Sequence, residues 1–340
     1  MIKSMIHILS IALIYCGTVF GAGFASGQEI VSFFSSHFLW GVVLSVFVGF
    51  LFSFFGYAVC SKAKEFGLNS AKEYFDFLFP KAVSGLLHFI CMAFLVVSFC
   101  IMIAGCGTLF KEQFSLRPMI GSLFSLVICY KIIKNRVGGL ARFNAVITPF
   151  MFLGVVALCC VVLTRTDVDF SLLEQGRPQK AAFSGALYLS YNLVSAAAVL
   201  APSAAIAKSK RQAGLGGALG GILVAVPLVL LSLVLTLFPA FHTEQLPFFA
   251  LICAMHPKLK LACAGLLYGA MLTTAASSGV SVLARVKPKF TGKYAAVLCA
   301  AAFAASFVPF DVLVKTMYSA FGVCGLVLIL GIVKSILRKQ

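Results

Sequence analysis

Residues 17–28 read Gly-Thr-Val-Phe-Gly-Ala-Gly-Phe-Ala-Ser-Gly-Gln and lie inside an apolar segment from about Ile6 to Phe34. Without its glycines that segment would read as one membrane-spanning helix, which needs roughly 20 apolar residues. Gly17, Gly21, Gly23 and Gly27 weaken a helix and let the backbone open. At membrane depth an opened backbone is tolerated only where it is buried in protein or lines a cavity. Broken helices near the bilayer midplane mark solute transporters. Unwinding here exposes the amides of Gly21, Ala22 and Gly23 at the start of a second half-helix. Free donors and a partial positive charge at that point suit a carboxylate. The carbonyls of Gly17 and Phe20, at the end of the first half-helix, suit a small cation. The alternative is packing alone, because Gly17 with Gly21 and Gly23 with Gly27 also form the small-residue pattern of tight helix contacts. A nucleotide-binding reading of Gly-x-Gly fails, since no strand–helix–strand unit surrounds it.

The rest of the chain agrees with a membrane setting. Of its 340 residues 61% are hydrophobic and 11% charged, with a mean hydropathy of +1.05. Soluble proteins are about 25% charged. The net charge of +17 sits in short loops between apolar segments, which argues against nucleic acid. The N-terminal segment lacks a cleavage site after a short apolar core and reads as a first span, not a removed signal. The twelve cysteines fall almost wholly in apolar segments without a CxxC pair, and read as small hydrophobes, not as disulfides or metal ligands. No nucleophile–base pair, metal cluster or phosphate loop appears, so the sequence does not read as an enzyme.

The expected fold is an all-α polytopic membrane domain over residues 1–340, with ten spans at about 7–33, 39–60, 82–109, 117–133, 143–163, 181–206, 214–239, 259–284, 294–309 and 312–335. Pro247 to Met255 is apolar but too short to cross, and reads as a surface or re-entrant helix. Most of the 27 Lys and Arg fall on one side of these spans, loop after loop, which places both termini in the cytoplasm. Residues 1–165 and 180–340 each hold five spans, so the second half enters from the opposite side. Span six carries its own interruption signals: Ser184-Gly185, Ser190-Tyr191-Asn192, the run Ser195 to Ala198, and Pro202. Ser and Asn compete for backbone hydrogen bonds. A second break is therefore expected at 190–192, facing the first. Gly217 and Gly221 read as close helix packing.

Other candidates follow. Span eight clusters Thr273, Thr274, Ser277 and Ser278 within an apolar helix, next to Ala270. Hydroxyls and free carbonyls supply a hard cation with oxygens, although a hydroxyl can also bond back to its own helix. Glu29 is the one carboxylate clearly inside a span, a proton or gating candidate. Lys315 either pairs with Asp311 four residues before it or reaches Glu29 as a gate. Tyr188 and Tyr191 flank the expected second break.

Gly17-x-x-Phe20-Gly21-x-Gly23 in span one, together with Ala270-x-x-Thr273-Thr274 in span eight, resembles the leucine-transporter (LeuT) fold of the amino acid–polyamine–organocation superfamily. Within it the stretch from Gly17 to Glu29 is similar to the YkvI-type bacterial membrane proteins. The resemblance covers the whole chain and implies an inverted repeat with broken spans one and six, in the bacterial cytoplasmic membrane. It implies a Na⁺ site formed by the carbonyls of Gly17, Phe20 and Ala270 and the hydroxyls of Thr273 and Thr274. It also implies a cargo site at Gly21, Ala22 and Gly23, faced by Ser190, Tyr191 and Asn192, with Ser98 on span three and Thr274 and Ser278 on span eight. Phe24 stands where some relatives hold a second sodium ligand. Span five has no lysine or arginine, which favours Na⁺ over H⁺ coupling. The function expected is symport of a small amino-acid-like solute with Na⁺ as coupling ion and no other cofactor. The alternatives are proton coupling and a solute sensor that does not transport.

Overall fold

The computed structural model describes residues 2–134, 140–165, 171, 178–284 and 288–337. The basic loops around Arg136, Arg177, Lys287 and Lys339, and most of the link between the expected halves, lie outside the described residues. Every described element is a helix. In chain order they are α1 (Ile2–Val19), α2 (Ala22–Ala25), α3 (Gln28–Phe33), α4 (Phe38–Phe66), α5 (Ala71–Leu78), α6 (Lys81–Phe114), α7 (Pro118–Lys134) and α8 (Leu140–Arg165). Then come α9 (Pro178–Ser203), α10 (Lys210–Leu237), α11 (Pro247–Met255), α12 (Lys260–Leu283), α13 (Pro288–Ala305), α14 (Phe310–Leu313) and α15 (Ser319–Leu337). A π turn, Val314–Tyr318, joins the last two.

The first expected span overlies α1 to α3, the last overlies α14, the π turn and α15, and each of the others overlies one main helix. By length and composition, 6 described segments are able to cross a membrane: Gln28–Phe66, Lys81–Phe114, Lys180–Ile206, Lys210–Leu237, Pro257–Leu283 and Phe310–Leu337. Shorter apolar helices lie at Met5–Val19, Thr148–Thr164 and Phe290–Ala305. Phe47, Phe50, Phe89, Leu153 and Leu330 are exposed on the outside. In water such a surface would be an aggregation liability; against lipid it is the expected coat. The chain is a membrane protein.

Two packing groups organise the helices. α1, α4, α9 and α10 pack on one another, and so do α6, α7, α12 and α13. α8 lies against α1, α10 and α12, whereas α15 lies against α9, α4 and α6. Lipid offers no hydrophobic drive between helices, so close backbone approach must hold them. Gly217 meets the carbonyl of Gly56, Gly221 meets Ser53, and Ser53 Oγ donates to the Ala218 carbonyl at 2.9 Å. A Cβ at either glycine would collide with backbone.

The structure corrects or sharpens the expected fold at three places. First, α9 is unbroken through residues 190–192. Asn192 Nδ2 donates to the Tyr188 carbonyl at 3.0 Å, and Ser195 Oγ to Asn192 at 2.9 Å. Ser190 Oγ donates to Leu187 in its own helix and to Gly322 of α15. These side chains reinforce the ladder or bind a neighbour, so nothing opens. Second, of the two readings of Pro247–Met255 the surface one is removed: Phe248, Phe249, Leu251 and Ile252 are buried, and the Phe248 amide donates to Ser26 at 2.9 Å. Third, the connection after α4 holds a helix that was not expected, α5, with Tyr74 and Phe75 buried. Ser70 caps its start by accepting from the Glu73 amide at 3.2 Å, and Glu73 accepts from the Asn69 amide at 2.8 Å.

Candidate functional site

The first span breaks where the glycines lie. α1 ends at Val19, and α2 starts at Ala22. The Gly21 amide, which would donate to Gly17 in a continued helix, donates to Val19 at 2.9 Å. The Gly17 carbonyl thereby loses its usual partner. A second interruption follows at Ser26–Gly27. Gly27 has φ 83°, a left-handed conformation that glycine adopts without strain. Ser26 Oγ donates to Gly23 at 2.8 Å and accepts from the Gln28 amide at 3.2 Å. That hydroxyl closes the turn on both sides.

The broken segment faces α12 and α8. A Cβ on Gly21 would sit 3.9 Å from Thr274 Oγ1, so the first break lies beside that hydroxyl. Thr273 Oγ1 donates to Ala270 at 3.0 Å, which puts two oxygens of the expected cation set side by side within one turn of α12. A Cβ on Gly17 would fall 2.8 Å from Thr148 Oγ1 of α8. Gly17 and Gly21 are thus open enough to bring hydroxyls of two other helices onto the break. Ser278 is buried one turn further along α12. Thr148 was not legible as a site residue, because only the tertiary contact with Gly17 distinguishes it from any other threonine in a span.

On the other side of the break stands a buried carboxyl among aromatic rings. Glu29 is 5% exposed, and its Oε1 lies against the Cα of Gly23, where a Cβ would collide with it. Tyr191 donates to Glu29 Oε2 at 2.6 Å. Tyr191 stacks on Tyr318, with ring centres 4.9 Å apart and planes at 27°. Phe94 lies 6.0 Å from Tyr191 and 5.7 Å from Tyr318, and Phe33 lies 5.7 Å from Tyr191. Ser98 faces the Tyr318 phenol. The π turn re-phases the last span so that Tyr318 points inward while Lys315 and Thr316 remain exposed.

Of the expected cargo residues, the structure brings Gly21, Ala22, Gly23, Tyr191 and Thr274 to the break, with Ser98 one ring behind Tyr191. It turns Ser190 onto α15 and Asn192 onto its own helix. Lys315 is exposed and does not reach Glu29, whose partner is Tyr191. Nor does Lys315 pair with Asp311: among the described residues the ion pairs are those of Glu65 with Lys62 and Lys210. Gln245, between α10 and α11, is a further residue that the sequence left silent. Its Oε1 accepts from Thr108 of α6 at 3.1 Å and from the Phe310 amide at 3.3 Å, tying three elements together.

No family model matches the chain. The uncharacterized membrane protein YkvI of Bacillus subtilis (strain 168) is 24% identical over 331 residues, which cover 94% of this chain and 93% of that protein. Among solved structures, a Na⁺-coupled sialic acid symporter in a substrate-bound outward-open state matches with a TM-score of 0.53 and 14% identity, over 97% of this chain and 86% of that one. The Eremococcus coleocola manganese transporter, in complex with an aromatic bis-isothiourea compound, matches with a TM-score of 0.50 and 11% identity, over 97% of this chain and 71% of that one. The fold is LeuT-like. Both solved neighbours are membrane transporters.

Proposed function

We propose that the protein is a secondary active transporter of the bacterial cytoplasmic membrane, which couples Na⁺ to the symport of a small amino-acid-like solute by alternating access. The observation that carries this reading is the opened backbone at residues 20–23, set between the hydroxyls of α12 and α8 and the aromatic wall of α9. The cation is held by the carbonyls of Gly17, Phe20 and Ala270 and the hydroxyls of Thr273 and Thr274, with Thr148 beside them. Cargo meets the amides at Gly21, Ala22 and Gly23, with Tyr191 opposite. Na⁺ acts by binding one of the two access states more tightly, since a ligand shifts an equilibrium only by differential affinity.

The packing pattern supports ten crossings in an inverted 5+5 arrangement, with both termini cytoplasmic. Exchange α1 with α9, α4 with α10, α6 with α12 and α7 with α13. The contact α1–α10 then becomes α9–α4, and α6–α13 becomes α12–α7; both members of each pair are observed. Short helices α5 and α11 also follow corresponding spans.

A second reading, proton coupling, draws on one observation: Glu29 is buried at the break with a single hydroxyl donor. The test is a thermal-shift screen of amino acids and related solutes in Na⁺ against K⁺, followed by flux of the stabilising solute into proteoliposomes. Flux that follows a Na⁺ gradient supports symport. Flux that follows only a pH gradient selects the proton reading. Saturable binding without flux identifies a sensor and overturns transport.

A further inference from the structure

The interior of this protein holds one ionisable group without a counter-charge. Among the described residues Glu29 is the only Asp, Glu, Lys or Arg that is buried. No basic side chain among the described residues pairs with it, and its hydrogen bond comes from the neutral Tyr191 hydroxyl. A carboxylate at membrane depth without a counter-charge is costly, and such groups mark functional sites.

Its surroundings say what kind of counter-charge fits. Its partner Tyr191 is surrounded by Tyr318, Phe33 and Phe94, with ring centres 4.9, 5.7 and 6.0 Å from its own. The Tyr188 hydroxyl is buried with no hydrogen-bond partner and lies within electrostatic reach of both Glu29 and Tyr318. A hard ion such as Na⁺ needs a shell of oxygens, which ring faces do not offer. An ammonium group is satisfied by one carboxylate, one or two hydroxyl acceptors and aromatic faces. Because the Glu29 carboxyl lies on Gly23, the protein itself supplies the negative pole at the half-helix start. An anionic solute would meet like charge there.

We propose that Glu29 is the counter-ion for an ammonium group on the cargo, which docks against Tyr191, Tyr318 and Phe94 and gives the idle Tyr188 hydroxyl an N–H to accept. The cargo class is then an organic amine, and the Tyr191–Glu29 hydrogen bond is the placeholder that the ammonium displaces. The proposal rests on the transport reading for the word cargo; the recognition step stands by itself.

The full chain in detergent is titrated with ethanolamine, choline, 3,3-dimethylbutan-1-ol (the neutral isostere of choline) and propionate, following the melting temperature. Ethanolamine or choline should raise it saturably, and the isostere and propionate should not. Glu29→Gln should weaken ammonium binding by about tenfold or more. Equal shifts by choline and its isostere, preference for propionate, absence of any ammonium binding, or unchanged binding by Glu29→Gln would each overturn the proposal. Should Glu29→Gln fail to fold, the choline–isostere comparison decides on the native chain. Ammonium selectivity without flux in proteoliposomes would sink transport and leave this site intact. Flux of a solute lacking an ammonium group would do the reverse.

Discussion

The first span and α9 carry similar warning signs in sequence and behave in opposite ways. Both mix small residues with Ser, Thr or Asn in an apolar stretch. The first span opens twice, at Gly21 and at Gly27, while α9 runs straight through Ser190 and Asn192. The difference lies in what the residues do with the backbone. Glycine removes side-chain contacts and permits φ 83° at Gly27, so the ladder can end and restart. Ser and Asn in α9 spend their polar groups on carbonyls three or four residues back, or on Gly322 of α15. A polar side chain in a span is thus no sign of a break when its own helix can satisfy it.

The contrast can be broken or sharpened by substitution. The largest effect is expected at Gly27, where a Cβ would fall 2.9 Å from Leu235 Cδ1 and 3.0 Å from the Phe248 amide nitrogen, at positive φ. Gly27→Val should cost about 2–4 kcal/mol, read as a melting temperature several degrees lower; an unchanged melt would mean that the second interruption is dispensable. Next comes the cation set. With Na⁺ at about 100 times its dissociation constant, native protein should gain about 2.7 kcal/mol over K⁺. Thr273→Ala combined with Thr274→Ala should erase that gain; equal Na⁺ stabilisation in the double variant would move the ion elsewhere.

Smaller changes test α9 and the first break. Asn192→Ala with Ser195→Ala should cost about 1 kcal/mol and leave flux intact, since each group only bonds its own helix. Lost flux at native stability would restore the second break as a working element. Finally, Gly21→Ala meets only ordinary contact at 3.9 Å and no positive φ. It should raise stability slightly, by about 0.5 kcal/mol, while slowing flux because the backbone is stiffer. Unchanged flux would show that the first break is static.

Much of the fold was legible because lipid leaves few choices. Backbone at membrane depth must satisfy itself, so apolar runs of the right length are helices, and the observed helices overlie the expected spans. α5 was missed: Ser70 and Glu73 stand in capping-box register, but its short, amphipathic pattern does not look like a span. The site was legible in part. Gly17 to Gly27 announced the break and Thr273–Thr274 its partner. Thr148, Gln245 and Tyr318 gave no local signal, because each matters only for what it touches.

Hydropathy and glycine spacing in the chain alone determined the helices, the membrane setting and the place where the first span opens. These follow from local energetics: the cost of an unsatisfied peptide in lipid and the freedom of a residue without Cβ. The tertiary structure alone decided that Ser190 bonds to Gly322 of α15 and that Glu29 meets Tyr191, 162 residues away. Whether a hydroxyl or carboxyl serves its own helix, a neighbour or a cargo depends on which donors and acceptors packing brings within about 3 Å, and no run of neighbouring residues contains that information.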